Sequence, residues 1–250
     1  MKHLTFETVS TVCENKSPND RYVDTPKELL ERKRSIFRKK LADAGFVPRE
    51  EIIPAIDTVI NYAAKASLHR HYAHYLKEES RYWRAETVPP YRPPSRGILL
   101  CGTCGTGKTM LTETIAKHGK NHFGNDYSNG FIYRTATEIV EAYNSDGQKA
   151  VDHFRGSWEW QPLFIDDLGV ENEGMHYGVK WGMKEFLLWR YECWKGKYSA
   201  TTLFTTNASG IDDLVSHYGG DERLKSRITE MCLVVHCNCD DWRLLHPAGK

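Results

Sequence analysis

Eight consecutive residues, Gly102-Thr-Cys-Gly-Thr-Gly-Lys-Thr109, satisfy the pattern G-x-x-x-x-G-K-[ST] in full. Glycines at this spacing let the backbone curl so that its N–H groups, with those of a following helix N-terminus, face one polyanion. Lys108 then supplies a cation for the outer phosphates of a nucleotide, and the Thr109 hydroxyl supplies an oxygen ligand for magnesium. The segment predicts an ATP and Mg2+ site built from Gly102, Thr103, Cys104, Gly105, Thr106, Gly107, Lys108, Thr109 and Met110, where the helical pattern begins. A second feature is Leu163-Phe-Ile-Asp-Asp167, a short apolar run closed by two carboxylates. Asp166 is expected to hold the metal through water, and Asp167 to orient or activate the water that attacks the γ-phosphate. Thr202-Leu-Phe-Thr-Thr-Asn207 ends a third apolar run in an amide, which makes Asn207 a candidate sensor of that phosphate. Arg223 and Arg227 stand four apart on one helix face, and Arg243 follows the last apolar run. A permanently charged, forked guanidinium suits a transferring phosphoryl group.

For these groups to meet, short strands and helices must alternate. Apolar runs at Gly97–Cys101, Phe131–Arg134, Leu163–Asp166, Thr202–Thr205 and Cys232–His236 are separated by helical stretches. This alternation predicts an α/β fold: a parallel sheet flanked by helices, with the ligand crevice at the strands' carboxyl ends. The chain ahead of it reads differently. Apolar residues recur at helical spacing from Pro54 to Leu76, and an earlier helix runs from Pro26 to Ala44 and stops at Gly45. Four prolines within Val88-Pro-Pro-Tyr-Arg-Pro-Pro94 deny both helix and central strand. The expected organisation is a helical partner-binding region at 1–88, a proline-rich linker at 89–95 and an ATPase domain at 96–250.

Composition narrows the class without naming a partner. The chain has 250 residues, 40% of them hydrophobic, and a net charge of +1, so no strongly basic or acidic surface is announced. Lys and Arg outnumber Asp and Glu by 17 to 13 in residues 1–95 and are outnumbered 17 to 20 in the remainder. Seven cysteines, no signal-peptide pattern and no apolar run of membrane length point to a reducing, cytoplasmic compartment without membrane contact. Cys101-x-x-Cys104 falls in the phosphate loop, where metal ligation would compete with nucleotide. Cys237-x-Cys239 lacks a second ligand pair, so both read as ordinary thiols.

In combination these motifs resemble the AAA+ ATPases of the DnaC, DnaI and IstB group, bacterial and phage helicase loaders and transposition helpers. The likeness runs from about Arg96 to Arg243. It rests on Gly97-Ile-Leu-Leu-Cys-Gly ahead of the P-loop, Phe164-Ile-Asp-Asp-Leu-Gly169, His176-Tyr-Gly178, Arg190-Tyr191, Thr205-Thr-Asn207, and Glu222-Arg-Leu-Lys-Ser-Arg-Ile-Thr-Glu230. The resemblance implies an AAA+ core with the helical lid reduced or absent. It also implies sensor 1 at Asn207, an arginine finger at Arg227 with Arg223 beside it, and a sensor 2 arginine at Arg243. Tyr218-Gly-Gly-Asp-Glu-Arg223 carries extra residues relative to the group, which leaves the choice between Arg223 and Arg227 open. The activity implied is Mg2+-dependent ATP hydrolysis with ATP-promoted self-association. The partners implied are single-stranded DNA with a replicative helicase or, in an IstB-like helper, a transposase. A metabolic P-loop kinase would share the phosphate site but not the late arginines. Residues 137–161 are where a DNA-contacting insertion of the group would project; Trp158 and Trp160 within it are expected to pack in the core.

Overall fold

A computed structural model of the chain describes residues 26–79, 96–117, 131–159, 161–197 and 202–241. The first of these segments forms two helices, α1 (Pro26–Asp43) and α2 (Ile53–Glu79), the latter entered through a 3₁₀ turn at Glu50–Ile52. Gly45, at φ 78°, ends α1: its N–H donates to Ala42 O and the Phe46 N–H reaches back to Leu41 O, the paired bonds of a Schellman cap. The chain leaves α1 in a direction set by that cap, with Phe46 as the first large side chain beyond it.

Strand β1 (Gly97–Cys101) leads into helix α3 (Lys108–Lys117) and, later, strand β2 (Ile132–Thr135). Thr135 closes β2 and opens helix α4 (Ala136–Asp146) with a capping box, its hydroxyl accepting from Glu138 N while the Glu138 carboxylate accepts from Thr135 N. Helix α5 (Gln148–Trp158) follows, then strand β3 (Leu163–Leu168). A small antiparallel hairpin, β4 (Gly174–His176) and β5 (Val179–Trp181), precedes helix α6 (Met183–Lys197), strand β6 (Thr202–Thr206), helices α7 (Ile211–His217) and α8 (Glu222–Met231), and strand β7 (Cys232–His236). Every pairing in the main sheet is parallel, and the strand order is β2-β3-β6-β1-β7.

The sheet divides its side chains with period two, so both faces are apolar and the inner strands read as continuous hydrophobic runs. Leu99, Cys101, Leu163, Ile165 and Phe204 pack against α4 to α8. Ile98, Leu100, Phe164 and Leu203 pack on the other face against α3 and against α1 and α2. Trp158 is a core residue of the first cluster, stacked on Phe154 with ring centroids 4.5 Å apart. Phe37, Val59, Ile60 and Ala63 are fully buried in the second, together with Leu111 and Ile115 of α3. The described helices of the first 88 residues therefore share one hydrophobic interior with the sheet. Arg243, Trp160 and the proline-rich Val88–Pro94 lie outside the described residues. No helix among the described residues is long and apolar enough to cross a membrane.

Candidate functional site

The loop between β1 and α3 is held open by backbone that a side chain would not allow. Gly105 and Gly107 sit at φ 74° and 84°. A Cβ on Gly107 would come within 2.6 Å of the Phe46 ring, and one on Gly105 within 1.8 Å of the Asp241 carboxylate. Thr103 Oγ1 donates to Cys239 O at 2.9 Å. The phosphate loop is thus seated between the segment after α1 and the segment after β7.

Beside it lies a cavity of about 690 Å³, within the ordinary size of a small-molecule site. The loop and first turn of α3 contribute Cys104 to Met110, with Glu113 and Thr114 one turn further on. The strand ends contribute Asp167 and Asn207, and the far wall is Gly45, Phe46, Val47, Arg49, Ile52 and Cys239. Lys108 is buried, and its ammonium donates to Gly102 O and Thr103 O at 2.8 Å each and to Asn207 Oδ1 at 3.0 Å. Burial pulls the Lys108 pKa down, against an upward pull from nearby thiols and from Asp167 and Asp166. P-loop cation and strand-end amide meet because β1 and β6 are neighbours in a parallel sheet, so their carboxyl ends open on the same side.

The two carboxylates occupy different places. Asp166 is 1% exposed and does not line the cavity. Its Oδ2 accepts from the Tyr133 hydroxyl at 2.8 Å and its Oδ1 from the Thr205 hydroxyl. Asp167 lies on the cavity wall with a left-handed backbone, φ 58°, where the β3–β6 register shifts between Ile165 and Leu168. The Asp167 N–H donates to Thr205 Oγ1 at 3.0 Å, so one hydroxyl accepts from the second acid and donates to the first. Burial and the neighbouring Asp166 push the Asp167 carboxyl above the usual carboxylate range, and Lys108 opposes them. The oxygen donors here, a Thr109 hydroxyl and Asp167 at the cavity with Asp166 behind, are of the hard type that magnesium takes. Asp166 also keeps lone pairs beyond the two that the hydroxyls use.

The arginines lie elsewhere. Arg223 is an exposed residue of the first turn of α8. Arg227 stacks its guanidinium over the Tyr191 ring at 4.9 Å and pairs with Glu192 at 3.2 Å, while the Tyr191 hydroxyl donates to Glu230 at 2.6 Å. Neither arginine lines the cavity.

Sequence reasoning missed Phe46, Val47, Arg49 and Tyr133. Gly45-Phe-Val-Pro48 between two helices was the available signal, since it exposes large apolar groups at a helix stop. Nothing local marks Tyr133, whose contact crosses from one strand to the next.

No family model matches the sequence. A 78-residue segment is 40% identical to the 26S proteasome regulatory subunit 6B homolog of Dictyostelium discoideum, covering 30% of this chain and 17% of that protein. A 112-residue segment is 33% identical to spastin of Sus scrofa, covering 42% of this chain and 17% of spastin. The chain thus spans less than a fifth of the length of these curated relatives. Among solved structures, the DnaC helicase loader matches with a TM-score of 0.38 and 18% identity over 67% of this chain and 88% of that one. Parallel sheet, complete P-loop and acid-ended inner strand together give this chain the architecture of a P-loop NTPase fold.

Proposed function

We propose that this chain is a Mg2+-dependent ATPase that self-associates with ATP and acts as a helicase loader in DNA replication, working with a replicative helicase on single-stranded DNA. One observation carries the ATPase reading: Lys108 Nζ bonds Asn207 Oδ1 at 3.0 Å on the wall of a cavity that Asp167 also lines. Cation, amide and carboxylate are then within reach of one γ-phosphate and its attacking water.

The loop amides and Lys108 would bind the phosphates, and Phe46 and Val47 would cover the nucleoside at the cavity's other end. Asp167, with its raised pKa, is suited to take a proton from water or to orient it. Asn207 would hand its bond with Lys108 to the γ-phosphate or the water, registering which nucleotide is bound. Thr109 and Asp166 would hold magnesium, which when bound would neutralise phosphate charge. Arg227, parked on Tyr191 and Glu192 outside its own cavity, suits action on a neighbour's nucleotide.

The loader part rests on the motif combination of residues 96–243. Phosphate release with and without Mg2+, sedimentation with ATP and single-stranded DNA, and capture of purified replicative helicase test the parts separately. No Mg2+-dependent hydrolysis sinks the ATPase reading. A strict monomer that ignores the helicase sinks the loader reading, and capture of a transposase instead supports the transposition helper.

A further inference from the structure

Asp166 sits behind the cavity wall with a hydroxyl on each oxygen, and the two hydroxyls come from different neighbouring strands. Thr205 belongs to β6, the strand that ends in Asn207, and its hydroxyl is also fixed by the Asp167 N–H. Tyr133 belongs to β2, on the opposite side of β3, and its half-buried ring packs against the cluster of Phe164 and Ile115. Thr135 of the same strand stands in register with Asp166, so the tyrosine reaches forward along the strand to place its hydroxyl 2.8 Å from Oδ2. A carboxylate gripped on both oxygens cannot turn about its last bond, and its remaining lone pairs keep fixed directions.

We propose that Tyr133 is a positioning residue that orients the Asp166 carboxylate for magnesium, and so sets how strongly magnesium and nucleotide bind together. The proposal rests on the ATP reading above. Partners that orient a metal's carboxylates change metal affinity by about 10–100-fold when removed. The low end applies, because Thr205 keeps its hold on the other oxygen. Tyr133→Phe retains the ring in its apolar seat and deletes the hydroxyl alone.

The experiment measures the affinity of the full chain for a fluorescent ATP analogue, in excess Mg2+ and in excess EDTA, for the parent, Tyr133→Phe, Asp166→Asn and the double variant. The parent is expected to bind more tightly with Mg2+. In Tyr133→Phe the EDTA affinity stays within about 2-fold of the parent while the Mg2+ enhancement falls about 10-fold. On the Asp166→Asn background the tyrosine change does nothing more, since it acts through that carboxylate. An undiminished Mg2+ enhancement in Tyr133→Phe overturns the assignment, as does an equal further loss in the double variant. An EDTA affinity that falls as far as the Mg2+ affinity also overturns it, by showing a merely structural role. A parent with no Mg2+ enhancement overturns the nucleotide reading itself, and this inference with it.

Discussion

Removing residues 1–90 is expected to destabilise the sheet domain rather than release it intact. Ile98, Leu100, Leu111, Ile115, Phe131, Phe164 and Leu203 are at most 2% exposed, and α1 and α2 form much of their cover. Full burial of such a side chain is worth roughly 1.5–3 kcal/mol. If deletion uncovers a third of this set, the loss is roughly 4–7 kcal/mol, an upper estimate because unfolded chains bury some surface too. Domain stabilities run at about 5–15 kcal/mol, so the fragment 91–250 is left marginal. It also lacks Phe46, Val47 and Arg49, which form a wall of the cavity beside the phosphate loop. The assay compares the full chain and residues 91–250 by thermal melting and by titration with a fluorescent ATP analogue. A fragment that melts within about 3 °C of the full chain, which corresponds to about 1 kcal/mol, and binds the nucleotide equally well, refutes the reasoning.

Other changes test single groups. Lys108→Ala should reduce ATP turnover at least about 100-fold, because the other cation lining the cavity, Arg49, stands on the opposite wall; near-normal phosphate release with unchanged folding would contradict it. Asp167→Asn should lower turnover by about 100-fold or more while nucleotide affinity changes little, as separate binding and single-turnover measurements would show. The raised pKa of Asp167 also means that its ionisation opposes folding. Stability is then lost as pH rises from the unfolded to the folded pKa, and Asp167→Asn should raise the Tm measured above that range. For the same reason the acid limb of the parent's pH–rate profile should lie above the ordinary aspartate range. Arg227→Ala should leave ATP affinity intact and abolish the rise of specific activity with protein concentration, which mixing experiments with Lys108→Ala subunits would check.

How much of this was legible beforehand depended on distance along the chain. The phosphate loop was readable because all its residues are contiguous and its flanks, Gly97–Cys101 and Met110–Lys117, each show their own period. Asp167 and Asn207 could be placed in the same crevice because strand ends in a parallel sheet open on one side. Phe46 could not, because it reaches the loop only through the docking of α1 and α2, which no short-range pattern encodes. The apolar side of α2 could equally have served a partner or the core, and the structure buries Ile56, Val59, Ile60 and Ala63. The β4–β5 hairpin escaped because three-residue strands carry too few alternations to register as a period. The residues separating Asp166 from Asp167 in role, Tyr133 and Thr205, stand 33 and 39 positions from Asp166.

The strand order also bears on how the chain is made. β1 lies between β6 and β7, and it carries the phosphate loop at its carboxyl end. On a ribosome its partners arrive last: about 130 residues separate Cys101 from His236, which at roughly 5–20 residues per second is several to some tens of seconds of synthesis. Until Thr202–Thr206 has been made Ile98, Leu99 and Leu100 have no strand beside them, and until Asn207 and then Cys239 follow the loop lacks the amide and the carbonyl that hold it. A nascent chain therefore cannot acquire its nucleotide site gradually. ATP in the surrounding solution would act late, as a ligand that captures the nearly finished product, while the apolar β1 stays unpaired until β6 is made.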